Sequence, residues 1–289
     1  MSLKQRKSRF AFALGSLVLC VLISARVGEA QKPIAAAAHP RPFEPAEELF
    51  YDAEFNRSLL RGLDIGEFKL RSTRSPIITE SDRKDGKPYS LIFSADVASK
   101  GFFTKLFNLK FHEQIESTVE ATTFTLQKTT ILDEQGKRVR ATETTYDRSI
   151  GKMSWSQRDP NNPSAEPRSA VVDFSGQLQD VLSAIYFIRT QPLRVGQPFD
   201  IFIGESGRIH RVPVLVSERK TMKTVLGRVK VIRVEPQVFG ADRLIRSENG
   251  QFTIWLTEDN RHIPVGARIK TEYGTFDIKL KRADLRDAR

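Results

Sequence analysis

Residues 252–281 read FTIWLTEDNRHIPVGARIKTEYGTFDIKLK, and this segment carries the clearest strand pattern in the chain. Apolar and polar side chains alternate in three runs within it, at 252–257, 265–270 and 275–281. A period of two is typical of half-buried antiparallel strands, and the short polar connections between the runs are typical of hairpins. The sequence therefore predicts a three-stranded meander here.

The same alternation continues on the N-terminal side of the meander. It recurs at 199–203, 212–216, 225–234 and 49–55, and the stretch 122–146 is rich in threonine, valine and aromatic residues. Such side chains suit a pleated, half-buried surface. We expect one domain over 47–282 that is mainly β, built as a curved antiparallel sheet or a partly closed barrel or sandwich, with one amphipathic helix packed against it.

That helix is predicted over 177–189, where apolar residues recur at helical spacing. Asp180 falls in its first turn, where a negative charge suits the helix dipole, and Pro192 ends it. Arg189 follows three apolar residues, and we expect it to cap the last carbonyls or to pair with an acid such as Asp180 or Asp259.

The chain begins with the pattern of an exported protein. Four basic residues precede an uncharged run of fifteen residues at 10–24, and small residues follow near Ala30. This pattern predicts a signal peptide over 1–30, with a retained signal anchor as the alternative. Residues 31–46, rich in alanine and proline, are predicted to form a flexible linker, and 283–289 a frayed, charged tail. Membrane contact after cleavage would be peripheral at most.

Charge and cysteine content narrow the classes of partner. The formal net charge is +11, and residues 1–30 carry five basic and one acidic side chain, so the remainder has a net charge of +7. That balance suits anionic lipid headgroups or other polyanions, although scattered basic residues on a soluble protein would produce the same number. No nucleic-acid-binding motif is present. Cys20, the single cysteine, lies in the predicted signal peptide, which leaves no thiol chemistry in the mature domain.

The residues offer little chemistry. The four histidines are far apart in sequence and form no spaced metal-binding pair: His39, His112, His210 and His262. No serine lies in a glycine elbow, and no glycine-rich phosphate loop or dinucleotide fingerprint occurs. We therefore predict no catalytic residues, no metal and no cofactor, and regard an enzyme as the less favoured class.

Aromatic residues are the candidates for binding. Trp255, Tyr186 and Phe187 are candidate cavity-lining side chains, and core packing is the alternative for Trp255. The apolar segment 101–109 is a candidate lip at the cavity mouth or a connector packed on the core. Its candidate ligand-contacting residues are Phe102, Phe103 and Phe107.

Several short motifs together resemble one bacterial family. They are SAIYFIR at 183–189, IWLTED at 254–259, IPV at 263–265 and ELFY at 48–51. In these the chain resembles the exported family catalogued as domain of unknown function 3108. The resemblance implies an exported β-rich protein of a Gram-negative bacterium and carries over no catalytic residues. The implied shape is similar to that of periplasmic lipoprotein carriers, an analogy of fold alone.

Two hypotheses of function follow, and an envelope hydrolase is the third option. The first is a non-enzymatic periplasmic protein that binds a lipid or another amphiphilic ligand in an apolar cavity of its rolled sheet. The second is a structural or assembly factor that contacts an envelope protein by edge pairing of strands. A filled core without a groove would rule out the first.

Overall fold

The computed structural model of the chain describes residues 43, 46–58, 60–75, 89–100, 110–247 and 249–286. Fourteen strands and one helix, α1, are present in these ranges. The N-terminal strands are β1 (Ala46–Arg57), β2 (Leu60–Arg74), β3 (Ser90–Ser99), β4 (Phe111–Glu120), β5 (Thr125–Gln135), β6 (Arg138–Asp147), β7 (Lys152–Arg158) and β8 (Arg168–Asp173). After α1 (Val181–Arg189) come β9 (Phe199–Glu205), β10 (Arg208–Thr224), β11 (Gly227–Pro236), β12 (Gln251–Thr257), β13 (Pro264–Thr271) and β14 (Gly274–Arg286).

All fourteen strands belong to one antiparallel sheet. Its order is β8-β7-β6-β5-β4-β3-β2-β1-β14-β13-β12-β11-β10-β9, so the first and last strands pair at its centre. Each half is a run of hairpins on either side of that central pair. The mainly β, antiparallel fold class is confirmed, and β12, β13 and β14 form the predicted meander.

The sheet curls until its two edge strands, β8 and β9, approach each other. A Cβ atom placed on Gly207, in the turn after β9, would lie 2.6 Å from the Cβ of Ala170 in β8. The segment before the helix bridges the junction: Gln179 N–H donates to the carbonyl of Phe202 (2.9 Å), and Gly204 N–H donates to that of Gln179 (2.8 Å). We call this junction of β8, Gln179 and β9 the seam.

Helix α1 is shorter than the sequence predicted. It begins at Val181, because Gln179 is extended and bonded to β9. Asp180 is therefore the N-cap rather than a first-turn residue, and its carboxylate accepts from the backbone N–H of Ser183 (2.7 Å). The helix ends at Arg189, where Thr190 N–H donates back to the carbonyl of Phe187 (3.0 Å).

The helix packs inside the curl and joins the cores of the two halves. Leu182 and Tyr186 belong to a cluster with residues of β3, β4 and β5. Ala184 and Ile188 belong to a second cluster with residues of β9 to β12. One helix of nine residues thus contributes apolar contacts to both halves of the sheet.

Two predicted boundaries need correction. The predicted linker 31–46 contains Phe43, which is 2% exposed and lies edge-on to Phe93 and Tyr186, at 5.3 Å from each ring. The predicted frayed tail starts inside a strand, because β14 pairs with β1 as far as Arg286. Phe43 is an isolated aromatic residue, and the end of β14 is charged with few apolar residues. Neither produces a periodic pattern from which its structure could be predicted. The predicted signal peptide lies outside the described residues.

Within the described ranges, no helix is long and apolar enough to cross a membrane.

Candidate functional site

Tyr186 and Phe187 lie in the packed core. Tyr186 is fully buried, and its ring stacks on Phe93 with centroids 3.9 Å apart and planes 7° from parallel. Burial raises the pKa of the Tyr186 phenol well above its usual range. Phe187 is half-buried and packs against both core clusters. These contacts are those of aromatic side chains packed in a core.

Trp255 points away from the core that surrounds α1. Its strand neighbours Ile254 and Leu256 pack in the cluster with the helix, and alternation directs Trp255 to the other face of the sheet. There Lys220 Nζ lies 4.9 Å from the ring centroid and Arg268 Cζ 5.7 Å from it. The structure therefore does not bring Trp255 together with Tyr186.

The remaining candidates, Phe102, Phe103 and Phe107, lie outside the described residues.

A buried ion pair lies at the C-terminal end of α1. Arg189 and Glu47 are 1% and 3% exposed, and both terminal nitrogens of the guanidinium donate to the carboxylate, Nη2 to Oε2 at 2.9 Å. Arg189 also donates to the carbonyl of Arg261 (3.0 Å), and the ring of His262 bonds to the carbonyl of Arg189 (2.7 Å). The partner of Arg189 is thus on β1 and not Asp180 or Asp259 as predicted. The pair fastens the helix to β1 and to the β12–β13 connection.

A second polar cluster lies inside the curl, between strands of the two halves. Glu113 on β4 is directly opposite Asp133 on β5, and both are buried. Burial, helped by the negative charges of Asp133 and Glu205, raises the pKa of Glu113 to about 8. Burial likewise raises the pKa of Glu205 to about 7, with Asp180 nearby adding to the shift. We call these four residues the interior carboxylates.

The interior carboxylates have few counter-charges. Arg138 Nη2 lies 3.1 Å from Asp133, and Thr129 donates a hydrogen bond to Asp180. The Oε1 atom of Glu113 is buried and has no hydrogen-bond partner among the described residues. Within the same ranges, no three histidine, cysteine, aspartate or glutamate residues are arranged to hold a metal ion.

An open groove of about 860 Å³ crosses the outer face of β2 to β7. Two rows of side chains line it, and each row takes one residue from each of the six strands. The first row is Lys69, Asp96, Gln114, Leu132, Ala141 and Arg158. The second row is Arg71, Ser94, Glu116, Thr130, Glu143 and Ser156. We call this the outer groove, and its volume lies within the ~300–1,000 Å³ usual for ligand sites.

The outer groove carries both signs of charge. At its β2 end, Lys69 and Arg71 pair with Glu48 at 3.1 and 2.6 Å. At its β7 end is Arg158, and its middle contains Glu116; both are exposed, and neither forms an ion pair with another described residue. Charged side chains that line a concave surface and lack an ion-pair partner there are available to bind a ligand.

His112 lies beside the groove, between two carboxylates. Its Nδ1 lies 2.9 Å from Glu134 and its Nε2 lies 3.3 Å from Asp96, which lines the groove. The hydrogen bond to Glu134 raises the pKa of His112, burial opposes the shift, and Asp96 adds to it. The two carboxylates therefore favour the protonated form of the His112 ring beside the groove.

Sequence reasoning did not find the outer groove. Its residues are the outward-facing polar half of each alternating strand, which a period of two predicts only as a solvated face. The groove exists because the curved sheet aligns six such positions in register. No short sequence motif marks the groove, since neighbouring positions of a row lie on different strands.

The comparisons with known proteins agree on the fold. No curated protein matches the chain. Among solved structures, the fold is similar to that of a beta-barrel-like protein of domain of unknown function DUF1849 from Brucella abortus. The TM-score is 0.55 at 10% sequence identity, and the match covers 84% of this chain and 98% of that one. The model of the protein family of unknown function DUF3108 matches residues 51–281, and the chain therefore belongs to that family.

Proposed function

We propose that the protein is an exported binding protein of the bacterial cell envelope, and that its outer groove holds the polar part of an amphiphilic ligand. The observation that supports this is the pair of six-residue rows lining a concavity of about 860 Å³. Export is supported by the basic and apolar pattern at the N-terminus.

The groove is a better candidate than the apolar interior. The rings around Tyr186 fill the space between α1 and β3, since Phe43, Phe93 and Phe124 all lie within 6.0 Å of a neighbouring centroid. An aliphatic chain inserted there would have to displace packed side chains. The groove needs no such displacement, and Glu116 and Arg158 place opposite charges at separate points along it.

Native mass spectrometry of the full chain, purified gently from a Gram-negative host, tests the proposal. We expect a bound mass in the lipid range, present as purified or after addition of vesicles of envelope phospholipid. Glu116→Arg and Arg158→Glu should each lower its occupancy about tenfold, equivalent to ~1.4 kcal/mol of binding free energy. Glu272→Arg, an exposed change in the distant β13–β14 turn, is the matched control and should leave occupancy unchanged.

Two results would overturn the proposal. One is a chain that carries no additional mass even with added vesicles. The other is a bound mass that survives both groove variants, in particular if Trp255→Ala removes it, because the ligand would then lie against β12.

A further inference from the structure

Strand β8 is an edge strand of the sheet, and the turn after β9 approaches its Ala170 side chain. On one side it pairs with β7, and no backbone hydrogen bond joins its other side to any residue in the described ranges. The opposite edge strand, β9, differs in that Gln179 bonds to its Phe202 and Gly204. In the middle of β8, Val171 is 64% exposed. Unprotected edge strands are templates for pairing with another strand.

The register of β8 shows which backbone groups are available. Phe174 N–H donates to the carbonyl of Gly151 (2.8 Å), and these two residues continue the Lys152–Asp173 register. In an antiparallel ladder, directly opposed residues are hydrogen-bonded at every second position. The backbone groups of Ser169, Val171 and Asp173 therefore point away from β7, toward the open edge.

We propose that β8 pairs with β8 of a second copy of this chain, antiparallel and centred on Val171. In this register Val171 lies opposite Val171 of the second copy. Ser169 of each copy lies opposite Asp173 of the other copy, so this pair occurs twice. All three residues with outward backbone groups then lie in hydrogen-bonded positions, which yields six hydrogen bonds. Odd-numbered residues of one copy lie opposite odd-numbered residues of the other, and opposed side chains project to the same face of the paired strands. The inner faces of the two sheets therefore lie on the same side.

The side chains suit this self-pairing. The two Val171 side chains meet at the two-fold axis and cover apolar surface that the single chain exposes. The Ser169 hydroxyl can donate to Asp173 of the second copy, whose carboxylate is 82% exposed and also lies 2.6 Å from its own Lys152. No like charges face each other across the pairing. A second copy related by a two-fold axis presents the same complementary residues. A strand of an unrelated protein would match them only by chance.

The pairing would extend the outer groove. Ser156, the last residue of its second row, lies opposite Ser169 on β8. When β8 pairs with β8 of the second copy, the outer grooves of the two chains therefore meet at the paired strands. A six-residue strand pair falls below the ~1,000 Å² of a stable interface, so we expect a weak, reversible dimer.

Site-directed crosslinking in the full chain tests the register. Cys20 is the only cysteine, so Cys20→Ser supplies a thiol-free background. Opposed residues have Cα atoms about 5.5 Å apart, which a bis-methanethiosulfonate reagent with a two-carbon spacer can span. We expect Val171→Cys to crosslink to itself at least tenfold faster than Ile150→Cys, a control with the same exposure (66%) in the turn before β7.

Two further samples separate pairing in register from random collision. Ser169→Cys alone should crosslink no faster than the control, because its two copies would be four positions apart, about 13 Å. A mixture of Ser169→Cys and Asp173→Cys chains should form the heterodimer as fast as Val171→Cys forms the homodimer. Val171→Cys reacting at the rate of Ile150→Cys, or Ser169→Cys reacting as fast as Val171→Cys, overturns the proposal.

Discussion

At the scale of single residues, Arg189 is one of the largest fully buried side chains in the described chain. Its guanidinium is almost fully buried, and its charge is balanced by Glu47 on the central strand β1. Desolvation of two charges offsets much of their attraction, so such a pair adds little net stability while the loss of one partner is costly. The pair therefore acts as a positional constraint on the end of α1.

We expect Arg189→Met to lower the free energy of unfolding by ~3–5 kcal/mol, because Glu47 would remain buried without a counter-charge. The double variant Glu47→Leu/Arg189→Met should recover at least half of that loss. Urea denaturation followed by circular dichroism measures both.

The matched control is Arg211→Met, which breaks the exposed pair with Asp200. It should lower the free energy of unfolding far less than Arg189→Met does, because surface ion pairs contribute little. A double variant as unstable as Arg189→Met alone would show that the cost lies in packing and not in the unpaired charge.

At the scale of elements, the closure of the curl depends on glycine. Gly204 in β9 packs directly on the core, where a Cβ atom would lie 2.5 Å from Met153 Sδ and 3.4 Å from Leu178 and Tyr146. Its neighbour across the seam, Gln179, occupies the bonding edge of β9. The seam is therefore held by close backbone approach and by one bridging residue instead of a full ladder.

Gly204→Ala should destabilise the protein by ~1–3 kcal/mol, because the added methyl group overpacks the buried Met153 side chain. Hydrogen exchange should show the loss of protection at the Gly204 and Gln179 region before the centre of the sheet. Adding Met153→Leu shortens the opposing side chain and should restore part of the loss. A Gly204→Ala protein with unchanged stability and exchange would contradict this account of the seam.

At the scale of the whole molecule, the interior carboxylates come from four separate elements. Glu113, Asp133 and Glu205 lie on β4, β5 and β9, and Asp180 caps α1. Only the curling of the sheet brings them together. The folded protein therefore holds protons on Glu113 and Glu205 at pH values where the unfolded chain releases them.

This predicts a stability that falls as the pH rises. The pKa of Glu113 rises from 4.5 to about 8 on folding, so the folded state binds more protons than the unfolded state between these values. The free energy of unfolding is then greatest, for this group, below pH 4.5, and decreases until the pH passes about 8. Urea midpoints at pH 5 and pH 8.5 measure the change.

Glu113→Gln should flatten that dependence and make the protein more stable than the parent chain at the higher pH. Glu116→Gln, an exposed carboxylate on the same strand, is the matched control and should leave the slope unchanged. Equal slopes for the parent and Glu113→Gln would refute the assignment to Glu113.

The strands could be predicted from the sequence more fully than the sites could. The meander at 252–281 was predictable because alternation is a local property that each strand displays by itself. The start of α1 could not be predicted. Residues 177–180 have helical spacing, but Gln179 bonds to β9, which is more than twenty residues away in the chain. The buried role of Phe43 was hidden for the same reason, as its contacts are all with distant strands.

By itself the sequence determined the period of the strands, the antiparallel class, the presence of one amphipathic helix and the resemblance to a family. These follow from side-chain patterns within about fifteen residues of each other. The tertiary structure alone decided that Arg189 meets Glu47, that four carboxylates share one interior and that polar residues of six strands line one groove. Such contacts depend on the order and curvature of the whole sheet, because residues far apart in sequence become neighbours only when every strand between them has paired in register.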